Sequence, residues 1–278
     1  MKFLDRAIEN TVRKSLQPNK VVLILGARRV GKTELIKRTI KNHNADVLTL
    51  NGEDEEVQSL LEKRSVQNYR QLLGQSDLLV IDEAQVIPEI GKKLKLMVDS
   101  IEGLKILVTG SSVFDMNNQL GEPLVGRSKT LRLYPLSQLE FSQQENLIET
   151  KSKLEERLIY GSYPELEHLS SRTDKEDYLK EIVNSYLLKD ILAFEGIRKR
   201  EKIVSLLRMI AFRVGSEISI EGIGNQLQMN KATVDKYLDL LSKVFIIHRV
   251  GGFRACYKIK CTELATLFCA ITRQKTQL

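Results

Sequence analysis

One stretch near the start of the chain leaves little freedom in what it can fold into. Val21-Val22-Leu23-Ile24-Leu25 is a short apolar run rich in β-branched residues, the pattern of a strand buried on both faces. It leads directly into Gly26-Ala27-Arg28-Arg29-Val30-Gly31-Lys32-Thr33, and Glu34–Ile40 follows at helical spacing. Strand, G-x-x-x-x-G-K-T loop and helix in that order form a phosphate-binding unit. The glycines let successive backbone N–H groups turn inward, and the helix N-terminus adds positive potential. Gly26, Arg29, Val30, Gly31, Lys32 and Thr33 are the candidate nucleotide-binding residues. Lys32 is placed for the β- and γ-phosphates and the Thr33 hydroxyl for Mg²⁺. A chance Gly-rich turn is the bland alternative, and the context on both sides argues against it. The side chains of Arg28 and Arg29 raise the local potential without having to point at phosphate.

Such a site needs an acidic residue at the end of a neighbouring strand, and Leu78-Leu79-Val80-Ile81-Asp82-Glu83 supplies one. Asp82 is placed to hold Mg²⁺ through its hydration shell, and Glu83 is the candidate base for an attacking water. An Asp-Glu pair alone would read as a helix cap; beside a phosphate loop it reads as catalytic. The adjacent Glu favours ATP over GTP, and no N-K-x-D tetrapeptide occurs in the chain.

Further strands are expected at Asp46–Asn51, Leu104–Gly110 and, shorter and near an edge, Thr130–Leu133. Helical patterns separate them, including Ile90, Leu94, Met97/Val98 and Ile101. The alternation predicts an α/β fold, a doubly wound parallel sheet. Ligands gather at the carboxyl ends of such strands, where Thr109, Ser111 and Ser112 fall. One of these hydroxyls is expected at the site, against the plain alternative of a Ser-rich turn. Arg127 precedes the last strand and is a candidate arginine finger acting on the same or a neighbouring subunit; a solvated loop arginine is the alternative. The acidic run Glu53–Glu56 reads as a solvated loop and helix start.

At 278 residues the chain is long for one domain. The apolar run at Val21–Leu25 is far short of the ~20 residues that span a bilayer, and the N-terminus lacks a signal-type apolar core, so a cytoplasmic protein is expected. Charge is uneven. Residues 198–278 hold 15 Lys+Arg against 6 Asp+Glu, whereas residues 1–197 hold 28 against 30. A basic final third points to a polyanion partner or an assembly surface. Cys256, Cys261 and Cys269 match no metal or redox spacing, and His43, His168 and His248 are scattered.

Taken together, Gly26–Thr33, Leu78–Glu83, Leu107–Ser112 and Leu124–Arg127 resemble the AAA+ ATPases. The nearer resemblance is to a prokaryotic family of AAA+ ATPases allied to the STAND and archaeal-ATPase clade. Tyr134–Ser137, Tyr160–Glu165 and Ser185–Ile191 strengthen it, and it covers roughly residues 1–250. It implies a P-loop NTPase core with a parallel five-stranded sheet and helices on both faces over 1–136, an α-helical lid over 137–197 and a winged helix over 198–250. It also implies a lid contact to the nucleotide at Gly161, Tyr163 and Pro164, Ser111 or Ser112 near the γ-phosphate, and a finger or sensor role for Arg127. Family members usually continue into a nuclease-like C-terminal domain. Residues 251–278 do not match that continuation, and are read as a truncation or frameshift, or as a short terminal helix carrying Leu264, Leu267, Phe268 and Ile271. Nuclease activity is not expected.

Within the basic third, Ser219 can cap Ile220–Leu227 and Asn230 can cap Lys231–Leu241, with Val234, Leu238 and Leu241 inward. Asn230, Lys231, Thr233 and Lys236 are left exposed as candidate DNA contacts, with Val244–Val250 as the wing. Packing is the competing role, and Asp235 and Asp239 dilute the surface. The sequence thus predicts Mg-dependent ATP binding and hydrolysis, with DNA contact or assembly of several copies as further expectations. The alternative is a nucleotide-gated DNA-binding switch with little or no hydrolysis.

Overall fold

The apolar runs of the first half pair as one parallel sheet. The computed structural model describes residues 4–41, 46–111, 124–187, 200–213, 219–251 and 257–260, and the chain divides into two units, Met1–Tyr134 and Pro135–Leu278. Strands β1 (Lys20–Leu25), β2 (Val47–Asn51), β3 (Leu78–Asp82), β4 (Lys105–Gly110) and β5 (Ser128–Arg132) lie in the order β2-β3-β4-β1-β5. Every neighbouring pair is parallel. Val21–Leu25, Leu78–Ile81 and Ile106–Val108 are buried, because the three central strands are covered by helices on both faces. β5 sits at an edge, with Ser128, Lys129 and Arg132 exposed.

The helices of this unit are α1 (Glu9–Ser15), α2 (Lys32–Lys41), α3 (Glu55–Glu62), α4 (Val66–Leu73) and α5 (Ile90–Ser100). Their starts follow local chemistry. The Asp54 carboxylate accepts from the Glu56 N–H, so part of the acidic run is a cap for α3, and Ser65 caps α4 through the Asn68 N–H. Arg13 of α1 donates to the carbonyls of Arg38 (2.9 Å) and Thr39 (3.3 Å) in the last turn of α2, placing a cation at the negative end of that helix. The periodic set of α5, Ile90, Leu94, Met97 and Val98, is buried.

The second unit begins at Pro135. Its elements are α6 (Gln138–Phe141), α7 (Leu147–Tyr160), a 3-10 turn at Pro164–His168, α8 (Arg172–Glu181), a π-helical turn at Ile182–Leu187, α9 (Arg200–Phe212), α10 (Ile220–Leu227), α11 (Lys231–Lys243), and an antiparallel pair β6 (His248–Gly251) and β7 (Tyr257–Lys260). Ser137 with Glu140, and Asn146 with Glu149, form reciprocal capping boxes at α6 and α7. In the last part of the unit Val234, Leu238 and Leu241 of α11 are fully buried.

The strand expected at Val244–Val250 is corrected here. Val244–Ile247 is a buried turn whose N–H groups at Ile246 and Ile247 close back onto the Leu241 carbonyl, and β6 begins only at His248. Its partner β7 lies inside the stretch expected to diverge, so paired structure continues past residue 250. The three cysteines and residues 261–278, including the expected terminal helix, lie outside the described residues. Among the described residues no helix is long and apolar enough to cross a membrane.

An ion cluster ties α7 to α6 and the loop between them. Arg157 on α7 donates to both Glu145 oxygens (2.9 and 2.6 Å) and stacks over the Phe141 ring at 3.5 Å, and Lys153 bonds the same carboxylate at 2.8 Å. The Arg157 hydrogen bonds, with that of Lys153, hold the Glu145 carboxyl below the usual glutamate range against its burial. A depressed carboxyl contributes stability that is present above its unfolded value and lost as pH falls through the folded one. Glu145→Gln is therefore expected to cost about 1–2 kcal/mol near neutral pH and less as the medium turns acid below the ordinary glutamate range. Chemical denaturation at several pH values reads this directly; an undiminished difference at low pH contradicts the assignment.

Candidate phosphate-binding site

β1 delivers the loop 26–31 to the carboxyl end of the sheet, and α2 starts at Lys32. Arg29 (φ 65°) and Gly31 (φ 94°) both take left-handed backbone, a conformation by which successive amides form a concavity for an anion. Lys32 is 5% exposed; its ammonium donates to the carbonyls of Gly26 and Ala27, each at 3.0 Å, and lies 4.0 Å from a Glu83 oxygen. The Val30 side chain is fully buried, so what this residue can offer a ligand is its backbone; Arg29 is exposed.

The two motifs meet across 49 residues: the Thr33 hydroxyl donates to Asp82 Oδ2 at 2.7 Å. The other Asp82 oxygen accepts from the buried Thr109 hydroxyl and from the Glu83 N–H at 3.1 Å. Thr109 comes from the end of β4, the neighbour of β3, which is why the pairing places it there. Glu83 adopts left-handed backbone (φ 49°) and breaks β3 into a one-turn 3-10 helix, Ala84–Val86. That turn returns Gln85 against Glu83, with the Gln85 amide donating to Glu83 Oε2 at 2.5 Å and to Ser111 Oγ at 3.1 Å. Ser111 is thus at the site, and Ser112 lies outside the described residues.

Three of these contributors were not apparent from motifs. Gln85 carries no spacing signal, and Arg6 donates to the loop carbonyl of Val30 (2.6 Å) and to that of Tyr134 from a segment with no motif of its own. Gly52, just past β2, gives its N–H to the Asp82 carbonyl at 2.8 Å; a Cβ there would stand 2.5 Å from the Glu83 carbonyl oxygen. Gly52→Ala is expected to cost about 1–3 kcal/mol by pushing that backbone away, with the loss read as a lower thermal midpoint.

Arg127 requires a correction. It precedes β5, and Val21 at the start of β1 donates to its carbonyl, so it sits at the amino end of the sheet while the loop sits at the carboxyl end. A six-residue strand separates them by roughly 17–20 Å, and Arg127 pairs instead with Asp99 of α5. It is not a finger for the site of its own chain. Tyr163 and Pro164 belong to the second unit, Tyr163 being buried and Pro164 opening the 3-10 turn. Of the candidate DNA contacts, Asn230 accepts from the Thr233 N–H as a helix cap, Lys231 pairs with Glu221 at 2.9 Å, and Lys236 is exposed.

A nucleoside triphosphate and Mg²⁺ are the groups this arrangement fits. Thr33 and Asp82 set hard oxygen donors side by side next to the phosphate-type loop. Among the described residues no group of three or more His, Cys, Asp or Glu could hold a metal by itself, and Mg²⁺ takes only one or two carboxylates where phosphates supply the rest.

Comparison with known proteins agrees with this class. Residues 18–142 match a family described as an AAA domain, and residues 151–263 match a domain of unknown function, DUF8612. The first unit, a five-stranded parallel α/β sheet, is thus similar to an AAA domain over those residues. An uncharacterized protein of Methanocaldococcus jannaschii is 26% identical over 282 residues, covering 95% of this chain and 63% of its own length. One from Haemophilus influenzae is 27% identical over 258 residues, covering 84% and 62%, and one from Mycobacterium tuberculosis is 26% identical over 242, covering 86% and 51%. The chain therefore spans between about half and just under two thirds of these relatives. Among solved structures, a STAND protein with a tetratricopeptide repeat sensor from Pyrococcus horikoshii is 15% identical, covers 96% of this chain and 42% of its own, and superposes with a TM-score of 0.33. That superposition is too loose to carry an argument.

Proposed function

We propose that the first unit binds ATP with Mg²⁺ and hydrolyses it. The observation that carries the reading is the meeting of Lys32, Thr33, Asp82 and Glu83 at one point from two separate motifs. The loop amides and the Lys32 ammonium bind phosphate oxygens and counter their charge. Thr33 and Asp82 hold the metal, which neutralises charge on the phosphates when bound. Thr109 fixes one Asp82 oxygen, leaving the carboxylate a single orientation toward Thr33. Glu83 is the base: its carboxylate orients a water and takes a proton from it as the water attacks.

Two finer parts of the proposal rest on the family resemblance: Tyr163 and Pro164 belong to a lid element, and Arg127 acts on the site of a neighbouring copy. The test is Mg-ATP turnover per subunit over a hundredfold range of protein concentration, with Lys32→Ala as the blank. Turnover above the blank supports hydrolysis, and a rate that rises with concentration supports completion by a neighbour. ATP binding without turnover would favour the nucleotide-gated switch.

A further inference from the structure

We infer that Gln85 is a positioning residue that ties the Glu83 carboxylate to Ser111 and so sets the direction in which Glu83 faces its water. The inference rests on the reading of this site as a triphosphatase. Glu83 follows β3 and Ser111 follows β4, so both lie just beyond the carboxyl ends of neighbouring strands. The Gln85 amide spans the gap, giving one N–H to Glu83 Oε2 and one to Ser111 Oγ. Its orientation is forced, because the reversed amide would face a carbonyl oxygen against the carboxylate. The remaining Gln85 oxygen is buried and, among the described residues, accepts no hydrogen bond. A buried acceptor without a donor is costly, and here it lies on the residue that touches the base.

The turn geometry explains why a glutamine at this position can do this. Left-handed backbone at Glu83 reverses the chain so that residue 85 stands beside residue 83, and a glutamine side chain is long enough to meet Ser111 as well. Glu83 also lies 4.0 Å from Lys32. The carboxylate therefore has two directions of pull, toward Lys32 through Oε1 and toward Gln85 through Oε2. Without Gln85 only the pull toward Lys32 remains, which turns the carboxylate onto the phosphate-binding lysine and away from a water.

The test has two arms. In the nucleotide-free ¹⁵N-labelled chain, the Gln85 side-chain amide should exchange with water at least about tenfold more slowly than exposed glutamines, and its signal should move in Ser111→Ala. In turnover, Gln85→Met should lower kcat at least about tenfold while ATP affinity stays within about threefold, and Gln85→Glu should lower kcat further by setting like charges together. Solvent-like exchange overturns the inference, as does wild-type kcat in Gln85→Met or an equal loss of kcat and affinity. If those results come while Glu83→Gln still slows turnover about a hundredfold, only the role of Gln85 falls. A wild-type chain that neither binds nor turns over ATP removes the triphosphatase reading and this inference with it.

Discussion

Lys32→Ala is expected to weaken Mg-ATP binding by at least about a hundredfold, the equivalent of one or two charge-assisted hydrogen bonds at ~1.5–3 kcal/mol each. The ammonium has two tasks. It closes the loop on itself through the Gly26 and Ala27 carbonyls, and it supplies the one buried cation at the loop mouth among the described residues. Alanine removes both, so the loop loses its charge and the two carbonyls lose their donor. The sheet does not depend on this side chain: β1 is held by its pairings with β4 and β5. The variant should therefore fold, and unfold at a temperature close to wild type without nucleotide. The wild-type chain should gain thermal stability with Mg-ATP as binding drives the equilibrium, and the variant should gain almost none. Direct titration with a fluorescent ATP analogue gives the affinities. An unchanged affinity would move the nucleotide away from this loop altogether.

How much of this was readable in the sequence depends on how far apart the cooperating residues lie. The phosphate loop is contiguous, so its residue types and their flanking strand and helix can be read together. Asp82 and Glu83 are legible because a buried apolar run ending in acids marks the carboxyl end of a strand. Gln85 is not legible, because its role arises from left-handed backbone at Glu83, which no residue type there announces. Arg6 meets partners 24 and 128 residues away and carries no periodic signal. Arg127 lies away from the site for a reason legible in the sequence: in a parallel sheet, a residue that precedes a strand lies opposite the ends where ligands gather. Val244–Ile247 shows the limit of composition, since an apolar run of β-branched and aromatic residues serves equally as a strand or as a buried turn.

Glu83→Gln is expected to bind Mg-ATP as tightly as wild type and to turn it over about a hundredfold more slowly. The substitution keeps the shape and the hydrogen-bonding reach of the side chain but removes the basic oxygen. Little else should change. The Glu83 N–H still bonds Asp82 and Thr109, and Asp82 keeps Thr33, so the metal-holding pair stays as it was. Lys32 loses an anion at 4.0 Å but retains its two loop carbonyls, which leaves phosphate binding in place or slightly strengthened. The effect should accordingly fall on kcat and not on affinity, which separates it from Lys32→Ala, where affinity goes first. A single-turnover experiment with the variant in excess over ATP distinguishes a slow chemical step from slow product release. If the variant hydrolyses ATP at the wild-type rate, Glu83 is not the base, and the water must be oriented by the remaining side chains at this end of the sheet, Thr109, Ser111 and Gln85.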